Sequence, residues 1–187
     1  MSTESHSAKH AHRHVGSEST EEHRHAAGEY SELDCAIIVV SDSRYEGQGG
    51  DTSGDMAERL ISRFGHKVVA RTLVPNVPDA IAGKFHEFVG EKAKFVVFCG
   101  GTGLSEKDLT VETIEPLMEK ILDGYGESFR RFSWDEIGPA AMLSRAMGGT
   151  AKGSVVVCTP GSTAAVRLAL EDILLPELDH IVREANR

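Results

Sequence analysis

The stretch Lys94-Phe95-Val96-Val97-Phe98-Cys99-Gly100-Gly101-Thr102-Gly103 decides the fold. From Phe95 to Cys99 it is apolar without alternation, and glycines end it abruptly. A short apolar run of this kind reads as a strand buried on both faces, the habit of a parallel sheet covered by helices. Cys35 to Ser41 and Ser154 to Cys158 repeat the habit, and Lys67 to Val74 supplies a further strand. Amphipathic stretches separate these runs. One helix starts near Thr52 or Ser53, where Asp55 completes a pattern close to a capping box, and Gly65 stops it after about Phe64. Pro75-Asn76-Val77-Pro78 is a turn, and Asp79 is placed to cap a helix running to about Lys92. A helix from Thr110 to Leu122 is bent or divided by Pro116, and Gly124-Tyr125-Gly126 reads as a break. Helices are expected over Glu127–Trp134, Ile137–Met147 and Ser162–Arg183, the last interrupted at Pro176. The order βαβαβ…αβα predicts an α/β fold: a doubly wound, three-layer α/β/α sandwich on a mostly parallel sheet.

Composition narrows the function. The 187 residues suit one domain plus a tail. No apolar run approaches the roughly 18–20 residues of a membrane span, and no apolar leader opens the chain. Acids outnumber bases 29 to 20, for a net charge of −9, which argues against a nucleic-acid partner. Cys35, Cys99 and Cys158 sit in apolar runs, far apart and without CxxC spacing. They read as buried thiols of a reducing, cytoplasmic compartment rather than as disulfides or zinc ligands.

Residues 1–30 differ from the rest. Six of the nine histidines fall there, and no aromatic precedes Tyr30. Such a segment buries too little surface to offset its ordering entropy, so it is expected to be a disordered tail with weak affinity for Zn²⁺ or Ni²⁺. The domain is then 31–187.

Ligands of open α/β sheets bind beyond the carboxyl ends of the strands. Three loops leave those ends here: Ser41-Asp42-Ser43, Gly100-Gly101-Thr102-Gly103 and Thr159-Pro160-Gly161-Ser162. Bare glycine backbone lets N–H groups approach an anion, and Thr102 adds a hydroxyl. Gly161-Ser162 opens the last helix, another anion-favouring end. Two such loops after two buried strands point to a phosphate-bearing ligand, although neither GxxxxGK[ST] nor GxGxxG is present. Asp108 lies five residues past Gly103. A carboxylate beside phosphates needs a cation between them, and Mg²⁺ is the usual one; alternatively Asp108 or Thr110 only caps the following helix. Glu127 and Arg130 form either a local ion pair or part of the site. Ser144-Arg145 is a further candidate for reaching an anion. His66, His86 and His180 sit at element edges, and no Ser-His-Asp or Cys-His pairing suggests a covalent nucleophile.

These residues resemble the MoaB/Mog family of molybdenum-cofactor biosynthesis. The matching pieces are Val40-Ser41-Asp42-Ser43, Asp51-Thr52-Ser53-Gly54, Gly65-His66 and Gly100 to Ser105 with Asp108 and Thr110. Gly126-Glu127 with Arg130, Leu143 to Ala146, Pro160-Gly161-Ser162 with Ala165-Val166, and Leu175 to His180 complete the series, in order from about Leu33 to Val182. The resemblance implies a domain that binds molybdopterin and transfers AMP from Mg-ATP to its phosphate, with Mg²⁺ as the metal. It implies a homotrimer or homohexamer that meets other proteins of the pathway. It also implies roles for Asp108 and for the residue after the Val-Pro turn as catalytic groups. That second position is usually acidic in the family and is Asn76 here. Asn76 carries no charge for a metal or a proton, which opens the alternative of a catalytically weak molybdopterin carrier or scaffold. From the bare physics, a nucleotide-binding regulatory module is a third reading.

Overall fold

The computed structural model describes residues 32–187, so the expectation of a disordered tail over 1–30 lies outside the described residues. Six strands form one sheet in the order β2-β1-β3-β6-β5-β4. They are β1 (Asp34–Val40), β2 (Lys67–Val74), β3 (Phe95–Cys99), β4 (Lys120–Ile121), β5 (Met147–Ala151) and β6 (Ser154–Thr159). β2, β1, β3 and β6 are mutually parallel, and β5 and β4 add on antiparallel. The chain steps from β1 outward to β2 and then back across to β3, so a topological switch point lies between β1 and β3.

Alternate residues of the central strands feed two separate cores. Cys35, Ile37 and Val39 of β1, with Phe95 and Val97 of β3, face α2 (Thr52–Arg63), α5 (Asp123–Ile137) and the C-terminal helical stretch. That stretch comprises α6 (Thr163–Arg167), a π-helical segment Leu168–Leu174, a 3₁₀ turn at Leu175–Glu177 and α7 (Leu178–Ala185). Ile38 and Val40 of β1, with Val96 and Phe98 of β3, face α3 (Pro78–Phe88) and α4 (Thr110–Ile114). Phe85, Phe95 and Phe98 are fully buried, and each such side chain contributes about 1.5–3 kcal/mol by leaving water. Helices on both faces of a mostly parallel sheet make the expected three-layer sandwich. All three cysteines are free and buried, and burial pushes the Cys35 and Cys99 thiols up to about 12.

Several local expectations are corrected. Residues 42–45 form a short helix, α1 (Asp42–Tyr45), where a loop was expected. α2 is capped by Asp51, whose Oδ1 accepts from the Gly54 amide at 2.9 Å, rather than by Thr52 or Ser53. α3 begins at Pro78 with Val77 at its cap position and no side-chain cap, leaving Asp79 inside its first turn, and it ends at Phe88 rather than Lys92. The helix expected to reach Leu122 stops at Ile114, passes through a 3₁₀ turn at Pro116 and gives way to β4. Gly124 and Gly126 lie within α5 instead of breaking the chain. The helix expected over 137–147 is a 3₁₀ segment (Gly138–Leu143) followed by β5. Pro176 does interrupt the last helical stretch.

Candidate ligand site at the carboxyl edge of the sheet

The loops leaving β1, β2, β3 and β6 meet above the switch point and enclose a cavity of about 1040 Å³. Their close approach explains the glycines. Gly100 has φ +107°, and a Cβ there would lie 2.3 Å from the Val40 carbonyl oxygen. Gly161 packs against Gly100 so closely that its Cβ would come within 3.0 Å of the Gly100 Cα. Gly101, at φ +62°, would drive a Cβ to 2.2 Å from Asn76 Oδ1. The Thr110 hydroxyl donates to the Gly100 carbonyl at 2.8 Å and its amide to the Gly101 carbonyl at 2.9 Å, which ties the glycine loop to α4.

Ser41, Asp42, Ser43, Asn76, Gly100, Gly101, Thr102, Gly103, Ser105 and Asp108 all line this cavity, as do Ser144, Arg145, Pro160, Gly161 and Ser162. Glu127 does not. It lies on an exposed part of α5, while Arg130 turns to the carbonyls of Ser144 and Ala146 at 3.5 Å each. Residues two apart in a helix point to roughly opposite faces, so Glu127 faces away while Phe129 and Ser133, four apart, carry the inward face of α5 to the cavity.

The two readings of Asp108 separate geometrically. α4 has Leu109 at its cap position with no side-chain cap hydrogen bond, so neither Asp108 nor Thr110 caps it. The Asp108 carboxylate faces Gly103, where a Cβ would lie 2.6 Å from Oδ2, and it makes no hydrogen bond among the described residues. Asn76 donates its backbone N–H to Asp42 Oδ1 at 2.7 Å, which fixes the residue. Its side-chain Oδ1 is buried and has no partner. A buried acceptor without a donor is costly, and an ion or water that reached it would complete its bonding. The donors on this wall are oxygens, the set preferred by a hard cation such as Mg²⁺. Among the described residues no cluster of three His, Cys, Asp or Glu could cage a metal. One carboxylate and an amide oxygen suit an ion held jointly with substrate phosphates.

Arg145 is committed to the loop. Nε donates to the Thr102 carbonyl at 2.9 Å and Nη2 to the Asp108 carbonyl at 3.3 Å, while the fork pairs with the Glu112 carboxylate. Hydrogen bonding to Glu112 raises the Arg145 pKa and lowers that of Glu112. Ser162 caps α6, accepting from the Ala165 amide at 3.2 Å. Sequence reading missed Arg44, Gln48, Lys107, Glu136 and the apolar side chains Ile137 and Leu143 of the cavity wall. Arg44 and Gln48 lie in the stretch that follows β1 and carried a signal in their polar, glycine-rich context; Leu143 fell inside a family-matching piece, and Glu136 and Ile137 carried no signal.

Residues 36–180 match a family model described as a probable molybdopterin binding domain. The molybdenum cofactor biosynthesis protein B of Bacillus cereus is 40% identical over 161 residues, covering 83% of this chain and 92% of that protein. Its Bacillus subtilis counterpart is 37% identical over 171 residues, covering 90% and 98%. The crystal structure of the tungsten cofactor synthesizing protein MoaB from Pyrococcus furiosus superposes with a TM-score of 0.78 at 34% identity, over 83% of this chain and 98% of that one. The residues matched run through all four loops of the cavity, and on this footing the chain belongs to the MoaB/Mog family of molybdopterin-binding domains.

Proposed function

We propose that this protein acts in molybdenum or tungsten cofactor biosynthesis, binding molybdopterin and transferring AMP from Mg-ATP to its phosphate. The products are adenylyl-molybdopterin and pyrophosphate. The observation that carries this reading is Asp108: a carboxylate without a hydrogen-bond partner among the described residues, set against Gly103 of the glycine loop and lining a cavity of about 1040 Å³. In the reaction a phosphate oxygen of the pterin attacks the α-phosphorus of ATP in line, and the bond to the pyrophosphate oxygen breaks. A phosphate monoester, with a second pKa of about 6, arrives mostly ionised near neutral pH, so no general base is needed. Asp108 and Asn76 are the residues that would hold Mg²⁺, which when bound offsets the crowded phosphate charge. The amides of Gly101 to Gly103 and the Thr102 and Ser105 hydroxyls orient the phosphates, while the Gly100 amide is held by the Thr159 carbonyl at 2.9 Å and Gly161-Ser162 closes the opposite side.

Asn76 favours a second reading, a molybdopterin carrier or scaffold with weak catalysis, because it supplies an amide where the family usually has an acid. Incubation with molybdopterin and Mg-ATP separates the two: adenylyl-molybdopterin supports the enzyme, and retained pterin without AMP transfer supports the carrier.

The assembly we propose is a homotrimer or homohexamer that meets other proteins of the pathway. Trp134, Ile137, Met142 and Leu143 leave 54, 58, 70 and 57% of their surface exposed along one end of α5 and the segment after it, a run of exposed apolar side chains that suits an interface between copies. Light scattering should return three or six chain masses; a single chain mass at micromolar concentration would count against it. Three buried free thiols fit a reducing cytoplasm. No helix among the described residues is long and apolar enough to cross a membrane.

A further inference from the structure

We propose that Arg44 binds the phosphate monoester of the pterin, on the opposite wall of the cavity from Asp108; this rests on the reading of the cavity as a molybdopterin and ATP site. Three basic side chains line the cavity: Arg44, Lys107 and Arg145. The Arg145 fork is taken by Glu112 and two loop carbonyls, and Lys107 stands exposed at the rim. Arg44 is half-buried and has no carboxylate partner among the described residues. Its one side-chain hydrogen bond runs from Nη1 to Ser53 Oγ, at 3.1 Å.

That bond is the end of a relay. Ser53 is fully buried and donates to Asp51 Oδ1 at 3.2 Å. Asp51 also accepts from the Gly54 amide, and its Oδ2 takes Arg71 Nη2 at 2.7 Å and Nε at 3.1 Å. Arg71 further pairs with Asp55 and Glu58 at 2.8 and 2.9 Å. The Asp51 charge is therefore answered by Arg71, and the relay orients the Arg44 guanidinium without neutralising it. A partly desolvated cation with no counter-charge calls for an anion, and a guanidinium fork matches phosphate oxygens.

The placement selects which phosphate. Arg44 leans on α2, in one helical layer, whereas Asp108 immediately precedes α4 in the other, and Asn76 lies between them, bonded to Asp42 of α1. Asp108 repels an anion that brings no metal. The metal-loaded triphosphate belongs on the Asp108 wall, and the metal-free monoester on the Arg44 wall.

The test measures binding without turnover. Molybdopterin, its dephosphorylated form and Mg-ATP are titrated into the wild-type chain and into Arg44→Gln, Arg44→Lys and Ser53→Ala. Arg44→Gln should weaken molybdopterin by about 10- to 100-fold, the loss expected for hydrogen bonds between charged groups. The dephosphorylated pterin and Mg-ATP should change less than about twofold, within the scatter of a bystander. Arg44→Lys should restore part of the affinity, and Ser53→Ala should show a smaller loss with the same dependence on the phosphate. Equal losses for both pterins, or a loss confined to Mg-ATP, would overturn the assignment. Wild-type chain that binds no molybdopterin would overturn both this inference and the site reading. Absent AMP transfer with the phosphate-selective loss intact would overturn only adenylyl transfer.

Discussion

Asp108 and Asn76 both line one cavity, their side-chain oxygens have no hydrogen-bond donor among the described residues, and each can be tested by a change of one atom type. Asp108→Asn keeps size and removes charge. Because α4 is not capped by this side chain, the substitution costs nothing there. If the carboxylate serves Mg²⁺, AMP transfer should fall about a hundredfold or more, as for loss of electrostatic stabilisation worth about 2.7–4 kcal/mol, while pterin binding survives. Near-wild-type turnover would end the metal assignment. The reverse change, Asn76→Asp, keeps the backbone bond to Asp42 and adds a charge beside the Asp42 and Asp108 carboxylates. Without metal, that crowding should lower the melting temperature; Mg²⁺ should restore it and the AMP-transfer rate should rise. A melting temperature indifferent to Mg²⁺ would show that no metal sits there. Asp108 was legible in the sequence because it follows a glycine loop at short range. Asn76 became visible only against the family pattern, since its orphaned oxygen depends on Gly101, which lies across the switch point.

At the level of elements, the link between the β3–α4 loop and the segment before β5 rests on Arg145. Its partners differ in worth. Glu112 is half-exposed, so the ion pair itself contributes about 0–1 kcal/mol, whereas the Thr102 and Asp108 carbonyls are fixed by folded backbone. Charge-assisted bonds of that kind contribute about 1.5–3 kcal/mol. Glu112→Gln should therefore leave stability and KM nearly unchanged, and Arg145→Met should raise KM and speed amide exchange over residues 100–110. Equal effects from both changes would show that the ion pair, not the carbonyl clamp, holds the loop. Legibility divides along the same line. The apolar runs of β1, β3 and β6 disclosed themselves by composition. β5, Met147-Gly148-Gly149-Thr150-Ala151, did not, because its glycines weaken strand propensity. Tertiary contact requires them: a Cβ on Gly149 would lie 2.3 Å from the Lys120 carbonyl, and one on Gly148 would lie 3.0 Å from Val157. Gly126 in α5 has the same cause, with the Ala146 carbonyl 2.6 Å from its Cβ position.

Across the whole molecule, the charged chemistry gathers at the carboxyl edge of the sheet, and a different arrangement occupies the far edge. There His66, just before β2, is buried with Nδ1 lacking a partner, and Asp179 of α7 has a buried Oδ1 in the same condition. Burial, the largest effect, holds the His66 imidazole below its usual 6.5, with the Asp179 and Glu32 carboxylates opposing it. Burial likewise raises the Asp179 carboxyl above its usual 3.8, with His66 opposing. The consequences for stability have opposite signs. A histidine depressed in the folded chain leaves the unfolded chain to take the proton first, so its contribution is complete above 6.5 and is lost as pH falls toward its folded value. A raised carboxyl favours the folded chain once protonated, and so returns stability only as pH falls through its own folded value toward 3.8. The carboxylates held low by arginine or lysine, such as Asp51, Glu112 and Glu171, weaken the fold only nearer or below the ordinary carboxylate range of about 4. Just below pH 6.5 the histidine is thus the group whose sign dominates. Melting temperature should decline from about pH 7.5 to about pH 5.5, and His66→Gln, which takes up no proton, should flatten that decline while leaving AMP transfer unaffected at the opposite edge. An unchanged slope in His66→Gln would place the proton uptake elsewhere in the chain.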